Sequence, residues 1–335
     1  MARLMKLGFH VLLVMAFLII FCPVLKAEND AKAEAVDSAM SETESKVQSA
    51  AAQDKESIGY RQKLGQIITT EEEEQAVTHE LDSYVRYAPT RSLSGQPGKI
   101  SVIKAASEYS FAFKAFGQLP IEVGIISEDI DINTSDAVPV SLPSHLTELV
   151  FGAEATLPFF TLDKTYIRLG IRPAFYSSNW NFKANSFNFG SHALVIYQAS
   201  EKLTLVVGVS ASPGFENPIT PFAGLIYKPN DKLTFDLVPS RPVISYKIND
   251  RVTVFGEGGF SRGEFKVTKD EVKGAALRYN EIHFAGGVKA SVNKYIDTYL
   301  SCGRMFNHYL KYRDSLGKVD IKNNTYSEFR VEMKI

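Results

Sequence analysis

From about residue 80 to the end of the chain, apolar and polar side chains alternate with a period of two. The clearest stretches are 148–157, 166–176, 202–210, 282–292 and 328–335, in which apolar residues occupy nearly every second position. Successive side chains of a β-strand point to opposite faces, so this alternation predicts strands with one apolar face. Counting the intervening turn signals gives about 13 strands from Ile100 onward, and a further strand at 81–88 makes the number even.

An internal repeat predicts several similar hairpins. The sequence YKPNDKLT at 227–234 returns as YKINDRVT at 246–253 and, more loosely, as YQASEKLT at 197–204. Each copy predicts a tight turn between two strands, directly preceded by a tyrosine. Tyr166 and Tyr295 flank two similar turns. Tyrosines at one end of successive hairpins are typical of the aromatic belt at a membrane boundary.

The connections between the predicted strands differ in length at the two ends of the sheet. Short ones are expected at 162–164, 199–201, 229–231, 249–250 and 293–294. Longer ones are expected at the other end, at 128–147, 178–186, 213–218, 261–275 and 307–324, with 239–242 as a short exception. This asymmetry is typical of outer-membrane barrels. We therefore predict an all-β protein, an antiparallel transmembrane β-barrel of about 12–14 strands over residues 80–335.

The residues before the predicted barrel have two different characters. In residues 1–27, Arg3 and Lys6 precede an apolar run that ends near Phe21, which predicts a secretory signal peptide removed after Ala27. The run is shorter than the roughly 20 residues that a membrane-spanning helix needs. Residues 28–79 are polar and acidic, which predicts a periplasmic leader that is largely disordered or partly helical.

Charge and cysteine content exclude several classes of function. The sequence has 37 Lys+Arg and 38 Asp+Glu, a formal net charge of −1, and no basic block that would indicate nucleic-acid binding. Its two cysteines are Cys22, within the predicted signal peptide, and Cys302, so the mature chain has no pair for a disulfide or a cysteine zinc site. Asp129 to Asn133 copy the start of a calcium loop, but the glycine and glutamate that such a loop requires are missing. No metal or cofactor is expected.

The stretch Pro221 to Phe260, PFAGLIYKPNDKLTFDLVPSRPVISYKINDRVTVFGEGGF, resembles a bacterial outer-membrane family catalogued as a domain of unknown function. The resemblance extends over most of residues 80–335. It implies a barrel in the outer membrane of Gram-negative bacteria, in contact with the lipid bilayer and the barrel-insertion machinery, and it implies no activity. Such chains often end in Phe or Trp, which the insertion machinery recognises, whereas this one ends in Ile335.

If the apolar series faces lipid, the alternate series faces the lumen. Its charged and titratable members include residues of both signs: Glu148, Glu154, Arg168, Arg172, Glu257, His283, Lys289 and Arg330. Mixed signs suit either a filled polar interior, as in a structural wall protein, or a weakly selective passive pore for small polar solutes. Because neighbouring strands bring side chains together, we expect Glu148 and Glu154 to pair with Arg168 and Arg172.

A catalytic site receives little support from the sequence. Ser191 and His192 are adjacent and therefore point to opposite faces of a strand. His145 and His308 are expected in long loops, where either could meet an aspartate, but no motif fixes their spacing. We therefore predict a non-enzymatic barrel with no catalytic residues. Two alternatives stay open: an outer-membrane hydrolase or acyltransferase acting on lipids, and a soluble periplasmic β-barrel binding module.

Overall fold

The computed structural model describes residues 78–115, 119–135, 137–159, 162–178, 180, 182–239, 241–269, 272–313 and 317–334. The predicted signal peptide at 1–27 and nearly all of the predicted leader at 28–79 lie outside these residues. Within the described part, none of the helical residues forms a segment long and apolar enough to cross a membrane.

The described chain is almost entirely β-structure, with a single 3-10 turn at Ala184–Ser186. The strands are β1 (Thr78–Ser92), β2 (Lys99–Ala115), β3 (Leu119–Thr134), β4 (His145–Pro158), β5 (Thr165–Ser177), β6 (Phe187–Ser200), β7 (Leu203–Ala211), β8 (Ile219–Tyr227), β9 (Leu233–Asp236), β10 (Val243–Lys247), β11 (Val252–Lys269), β12 (Val272–Ser291), β13 (Ile296–Tyr312), β14 (Lys318–Ile321) and β15 (Asn324–Lys334).

These strands form one closed antiparallel barrel. From β1 to β13, each strand pairs with the next along the chain, and β15 pairs with both β1 and β13. β14 and β15 pair with consecutive parts of β13, so together they supply one strand of a 14-strand barrel. The predicted all-β barrel of about 12–14 strands is confirmed, and β1 is the additional strand expected near 81–88.

We call the two ends of the barrel the turn end and the loop end. The turn end contains the connections after β4, β6, β8, β10 and β12. The three repeat copies form equivalent turns there, in which the side-chain oxygens of Ser200, Asn230 and Asn249 each accept two backbone N–H bonds. In the last turn, the hydrogen bond from Lys247 lowers the pKa of Asp250.

Of the five tyrosines predicted beside the tight turns, four are exposed there and one is not. Tyr197, Tyr227, Tyr246 and Tyr295 are exposed beside their turns. Tyr166 instead packs against a buried apolar cluster of β6, β7 and β8. Its neighbour in the sequence, Thr165, is the residue that pairs with Tyr197, so the two tyrosines lie one position out of register and on opposite faces.

Several predicted loops are shorter than expected. The ladder of β11 and β12 continues to Lys269 and Val272, within the predicted loop 261–275, and β13 and β14 extend into 307–324. His145 begins β4 and His308 lies within β13, so the prediction that both histidines lie in long loops is wrong. Charged side chains interrupt the apolar alternation at this end, but the backbone hydrogen bonds of the ladder continue.

The inner face of the barrel changes character along its length. On β2, the buried series runs from Ile100 and Val102 at the loop end to Lys104 and Glu108 nearer the turn end. At the loop end, buried apolar side chains of β1 to β5 and β11 to β15 pack into one core. There Lys266 of β11 also forms a parallel bridge to Ser177 of β5. The loop end of the interior is therefore filled by apolar packing.

The outer face toward the turn end is apolar. Large exposed side chains alternate there with buried ones: Leu81, Val85, Ile125, Phe151, Leu169, Ile171, Val195, Val207, Phe284, Val288 and Leu300. A soluble barrel or sandwich would bury this series around a dry centre. The observed arrangement is the inverse.

Candidate functional site

The inner face of the barrel carries the charged residues singled out in the sequence. Glu148, Arg168, Glu257, His283 and Arg330 are buried. The three remaining members of the series are half-buried: Glu154, Arg172 and Lys289. All eight thus lie on the face opposite the exposed apolar side chains.

One ion pair of the expected kind joins β4 and β5. Glu154 lies 3.8 Å from the guanidinium of Arg168 and 3.5 Å from His192 of β6. Arg168 also donates a hydrogen bond of 2.9 Å to the hydroxyl of Thr156. The register places Glu148 opposite Tyr176. Glu154 and Arg168 therefore provide an ion pair between these strands.

Arg86 of β1 is the centre of the largest ionic cluster. Its Nη1 donates to Glu281 of β12 at 2.6 Å, and its Nη2 donates to Glu328 of β15 at 2.7 Å. The guanidinium lies 4.5 Å from the centre of the Tyr326 ring, a favourable cation–π distance. His283 lies 3.3 Å away. One arginine thus links strands that are not all neighbours in the sheet.

A second cluster continues from the first toward β2 and β3. The Lys104 ammonium donates to the hydroxyl of Ser261 at 2.6 Å and lies 3.1 Å from Glu128. Tyr84 donates to Glu128 at 3.1 Å. Tyr279 donates to Glu281 at 2.5 Å and has the Lys104 ammonium 5.9 Å from its ring centre, which connects this cluster to the one around Arg86. Buried charges of both signs therefore compensate one another, as low-polarity surroundings require.

Acidic side chains lie in a row across β2, β1 and β15, toward the turn end. Asp82 is opposite Glu108 on one side and opposite Glu332 on the other, and all three are buried. Glu332 accepts a hydrogen bond of 2.6 Å from Tyr299 and lies 3.0 Å from Lys334. This part of the inner face is acidic.

The hairpin of β9 and β10 is the shortest in the barrel, and prolines explain where its strands stop. A central strand pairs with a neighbour on each side through its backbone N–H groups. Pro239 and Pro242 have no N–H group to donate. β9 accordingly ends at Asp236 and β10 begins at Val243. We call the connecting residues Leu237, Val238, Pro239, Arg241 and Pro242 the inner segment.

The inner segment contacts two separate parts of the interior. Val238 is 1% exposed and belongs to a buried cluster with Leu194, Ile196, Val206 and Ile226. Arg241 donates through Nε to Glu257 of β11 at 2.9 Å, and its Nη2 lies 3.7 Å from Glu328 of β15. Through Val238 and Arg241 the segment therefore reaches the apolar wall of β6 to β8 and the charged wall inside the barrel, whereas the side chain of Leu237 is exposed.

Among the site residues that the sequence did not single out are Arg86, Lys104, Glu281 and Arg241. The first three occupy the alternate positions of strands whose other face is apolar. Counting odd and even positions along each strand, its parity, would therefore have placed them on the inner face. Their partners could not, because Arg86 meets residues about 200 positions or more away. No alternating pattern surrounds Arg241, so its orientation could not be predicted. Its position follows from the prolines beside it, which interrupt the strands.

The candidate catalytic residues remain scattered among the described residues. Nδ1 of His145 contacts the carboxylate of Asp131 on the exposed side of β3 and β4. His192 is buried, while Ser191 belongs to the opposite face. The buried ring of His308 packs 5.2 Å from that of Tyr279, between centroids. In the described part of the chain, no group of three or more His, Cys, Asp or Glu side chains could hold a metal ion.

Comparisons with known proteins give a family and several similar folds. The family model described as "Domain of unknown function (DUF6268)" matches residues 144–334, more than half of the chain. No curated protein matches. Among solved structures, the COG4313 outer membrane channel from Pseudomonas putida F1 is similar over 84% of this chain and 100% of its own, with 10% identity and a TM-score of 0.45. The KdgM porin is similar over 76% and 98%, with 12% identity and a TM-score of 0.31.

Proposed function

The chain belongs to this family of unknown function (DUF6268), and we propose that it is a non-enzymatic β-barrel of the bacterial outer membrane that acts as a passive, weakly selective channel. The observation that carries the proposal is the opposition of two faces toward the turn end. Apolar side chains are exposed on the outside, and charged side chains are buried inside. An apolar outer band and a polar interior are what a bilayer requires of a barrel.

The charged inner residues would line the lumen and set its selectivity. Arg86 is shared between two carboxylates and Lys104 is held by a third, so cations and anions of the protein largely compensate one another. A lumen of mixed sign steers neither cations nor anions strongly. The solutes would be small and polar, and the partners would be the lipid bilayer and the machinery that inserts the barrel.

The apolar core at the loop end favours a second candidate. Phe265, Leu277 and Leu310 are fully buried in that core, so a wide straight pore through the loop end is not expected. A barrel filled in this way suits a structural wall protein. The channel proposal therefore predicts a small conductance, well below that of an open porin.

Planar-bilayer recording of the purified, folded protein tests the proposal. A channel gives ohmic steps of reproducible size, with a reversal potential close to zero in a salt gradient. A silent bilayer, with protein shown to be folded by the gel shift between boiled and unboiled samples, contradicts the channel and supports the structural role. Release of labelled acyl chains from lipid that is lost in a His145→Ala variant would contradict the non-enzymatic assignment.

A further inference from the structure

The inner segment has a place in the barrel that the wall does not require. β9 and β10 contain 4 and 5 residues, whereas a strand needs about 9–11 residues to cross a bilayer. Leu237 still bonds to β8 and has an exposed side chain, but the side chains of Val238 and Arg241 lie in the interior. There they lie near mid-height, between the end of β9 and the start of β10.

A glycine allows the segment to approach the wall. A Cβ atom at Gly224 of β8 would lie 2.7 Å from the Cα of Val238 and 2.8 Å from the backbone oxygen of Leu237. Real Cβ atoms do not come so close to backbone atoms, because these cannot move aside as a side chain can. The backbone of Leu237 also donates a hydrogen bond of 2.8 Å to Leu225. The backbone of Leu237 and Val238 is therefore in direct contact with β8.

Arg241 fastens the other side of the segment. Its guanidinium donates to Glu257 and lies close to Glu328, and it interacts electrostatically with Asp82. These acids belong to β11, β15 and β1, on the charged wall. An arginine that contacts carboxylates of β11 and β15 places one positive charge within the interior.

We propose that the inner segment is the constriction that limits passage through the turn-end half of the barrel, in series with the apolar core at the loop end, with Val238 and Arg241 holding it against two walls. This inference rests on the proposed channel function and specifies which residues restrict its conductance. Because the segment contacts both walls, a solute must pass beside it. Arg241 also sets the ion preference, because its positive charge opposes the negative charges of Asp82, Glu257 and Glu328. Without Arg241, these carboxylates would favour cations in the passage.

Two substitutions test the constriction by different physical means. Gly224→Ala displaces the segment without changing any charge, and Arg241→Ala removes its ionic attachment. Each is expected to raise the unitary conductance in planar bilayers at least twofold. Arg241→Ala is expected in addition to shift the reversal potential in a potassium chloride gradient toward cation selectivity, whereas Gly224→Ala is not.

Each variant has a matched control. Gly152 also lies on the inner face, but a Cβ there would have its nearest neighbour 4.0 Å away, at the backbone oxygen of Gly124. Gly152→Ala should leave the conductance unchanged. Arg251 lies exposed in a tight turn, so Arg251→Ala should leave both conductance and selectivity unchanged. The gel shift between boiled and unboiled samples verifies that all four variants are folded.

A second measurement reports the position of the segment independently of conduction. In a chain with Cys22→Ser and Cys302→Ser, Val238→Cys supplies a single thiol at a buried position. A water-soluble maleimide should label it slowly, and at least tenfold faster when Gly224→Ala or Arg241→Ala is added. Faster labelling together with larger conductance supports the proposal.

The outcomes separate this inference from the channel function itself. If the wild type conducts and the variants conduct equally, the constriction is overturned and the channel stands, whatever the labelling rates. If the wild type and all variants are silent, the channel function fails and the constriction fails with it. A silent wild type beside a conducting Gly224→Ala variant supports both.

Discussion

Arg168 and Leu169 are consecutive residues of β5 with opposite surroundings: Arg168 is 1% exposed, and Leu169 is 46% exposed. The guanidinium finds Glu154 and Thr156 inside the barrel, while the leucine side chain projects outward. In water this arrangement would expose apolar surface and bury charge, and both are unfavourable. A bilayer around the barrel makes the exposure of apolar side chains favourable, and ion pairing offsets the free-energy cost of burying charge.

Removing the central arginine should destabilise the barrel strongly. Arg86→Ala leaves Glu281 and Glu328 buried without the guanidinium that binds both. Removing one partner of a buried ion pair costs about 3–5 kcal/mol of the free energy of unfolding. Urea unfolding in lipid vesicles measures the effect. Arg251→Ala, which removes an exposed arginine, is the control and should shift the midpoint little. Equal midpoints for the two variants would contradict the role of the Arg86 cluster.

The apolar core at the loop end should contribute to stability as a soluble core does. Leu277 is fully buried there, so Leu277→Ala should cost about 2–5 kcal/mol through lost burial and a residual cavity. Limited proteolysis should become faster at the loop end and stay unchanged at the tight turns. Ile219→Ala, at an exposed position, serves as the comparison. A core that tolerates Leu277→Ala without loss of stability would instead indicate an open interior.

The side chain of Asn249 should be replaceable only by one that keeps its acceptor. Its carbonyl oxygen accepts hydrogen bonds of 2.9 Å from the backbone N–H groups of Arg251 and Val252. Asn249→Ala should cost about 0.5–1.5 kcal/mol per net hydrogen bond lost, less where water replaces it. Asn249→Ser should cost less, because Ser200 makes the equivalent contacts in its own turn. Urea unfolding of both variants decides, and equal losses would contradict the assignment.

The sequence predicted the wall of the barrel better than its interior. Alternation and the repeated turns are local features, so the strands, their faces and the hairpin at 246–253 could be predicted from neighbouring residues alone. The long extension of β11 and β12 could not, because Arg262 and Glu264 interrupt the pattern at the point where both faces become covered. There the inner face is apolar, and the alternation no longer distinguishes lipid from lumen.

For the candidate site, too, the sequence predicted which face a residue lies on but not which residues it contacts. Parity placed His283 and Lys289 of β12 on the inner face together. It could not show that Arg86 bridges β12 and β15, since barrel closure brings those strands together only after the whole sheet forms. The inner segment was predicted merely as a short turn. Its entry into the barrel depends on Gly224 and on carboxylates of distant strands, which no local pattern reports.

The central claim is that the exposed apolar face meets hydrocarbon, and fluorescence quenching tests it most directly. Trp180 is the single tryptophan of the chain and lies in the connection between β5 and β6, so Trp180→Phe combined with Leu169→Trp gives one fluorophore on the outer face of β5. In vesicles with brominated acyl chains, we expect strong quenching of this tryptophan and weak quenching by acrylamide in water, with the native Trp180 behaving in the opposite way. Strong acrylamide quenching at position 169, without quenching by the brominated lipid, would contradict the account.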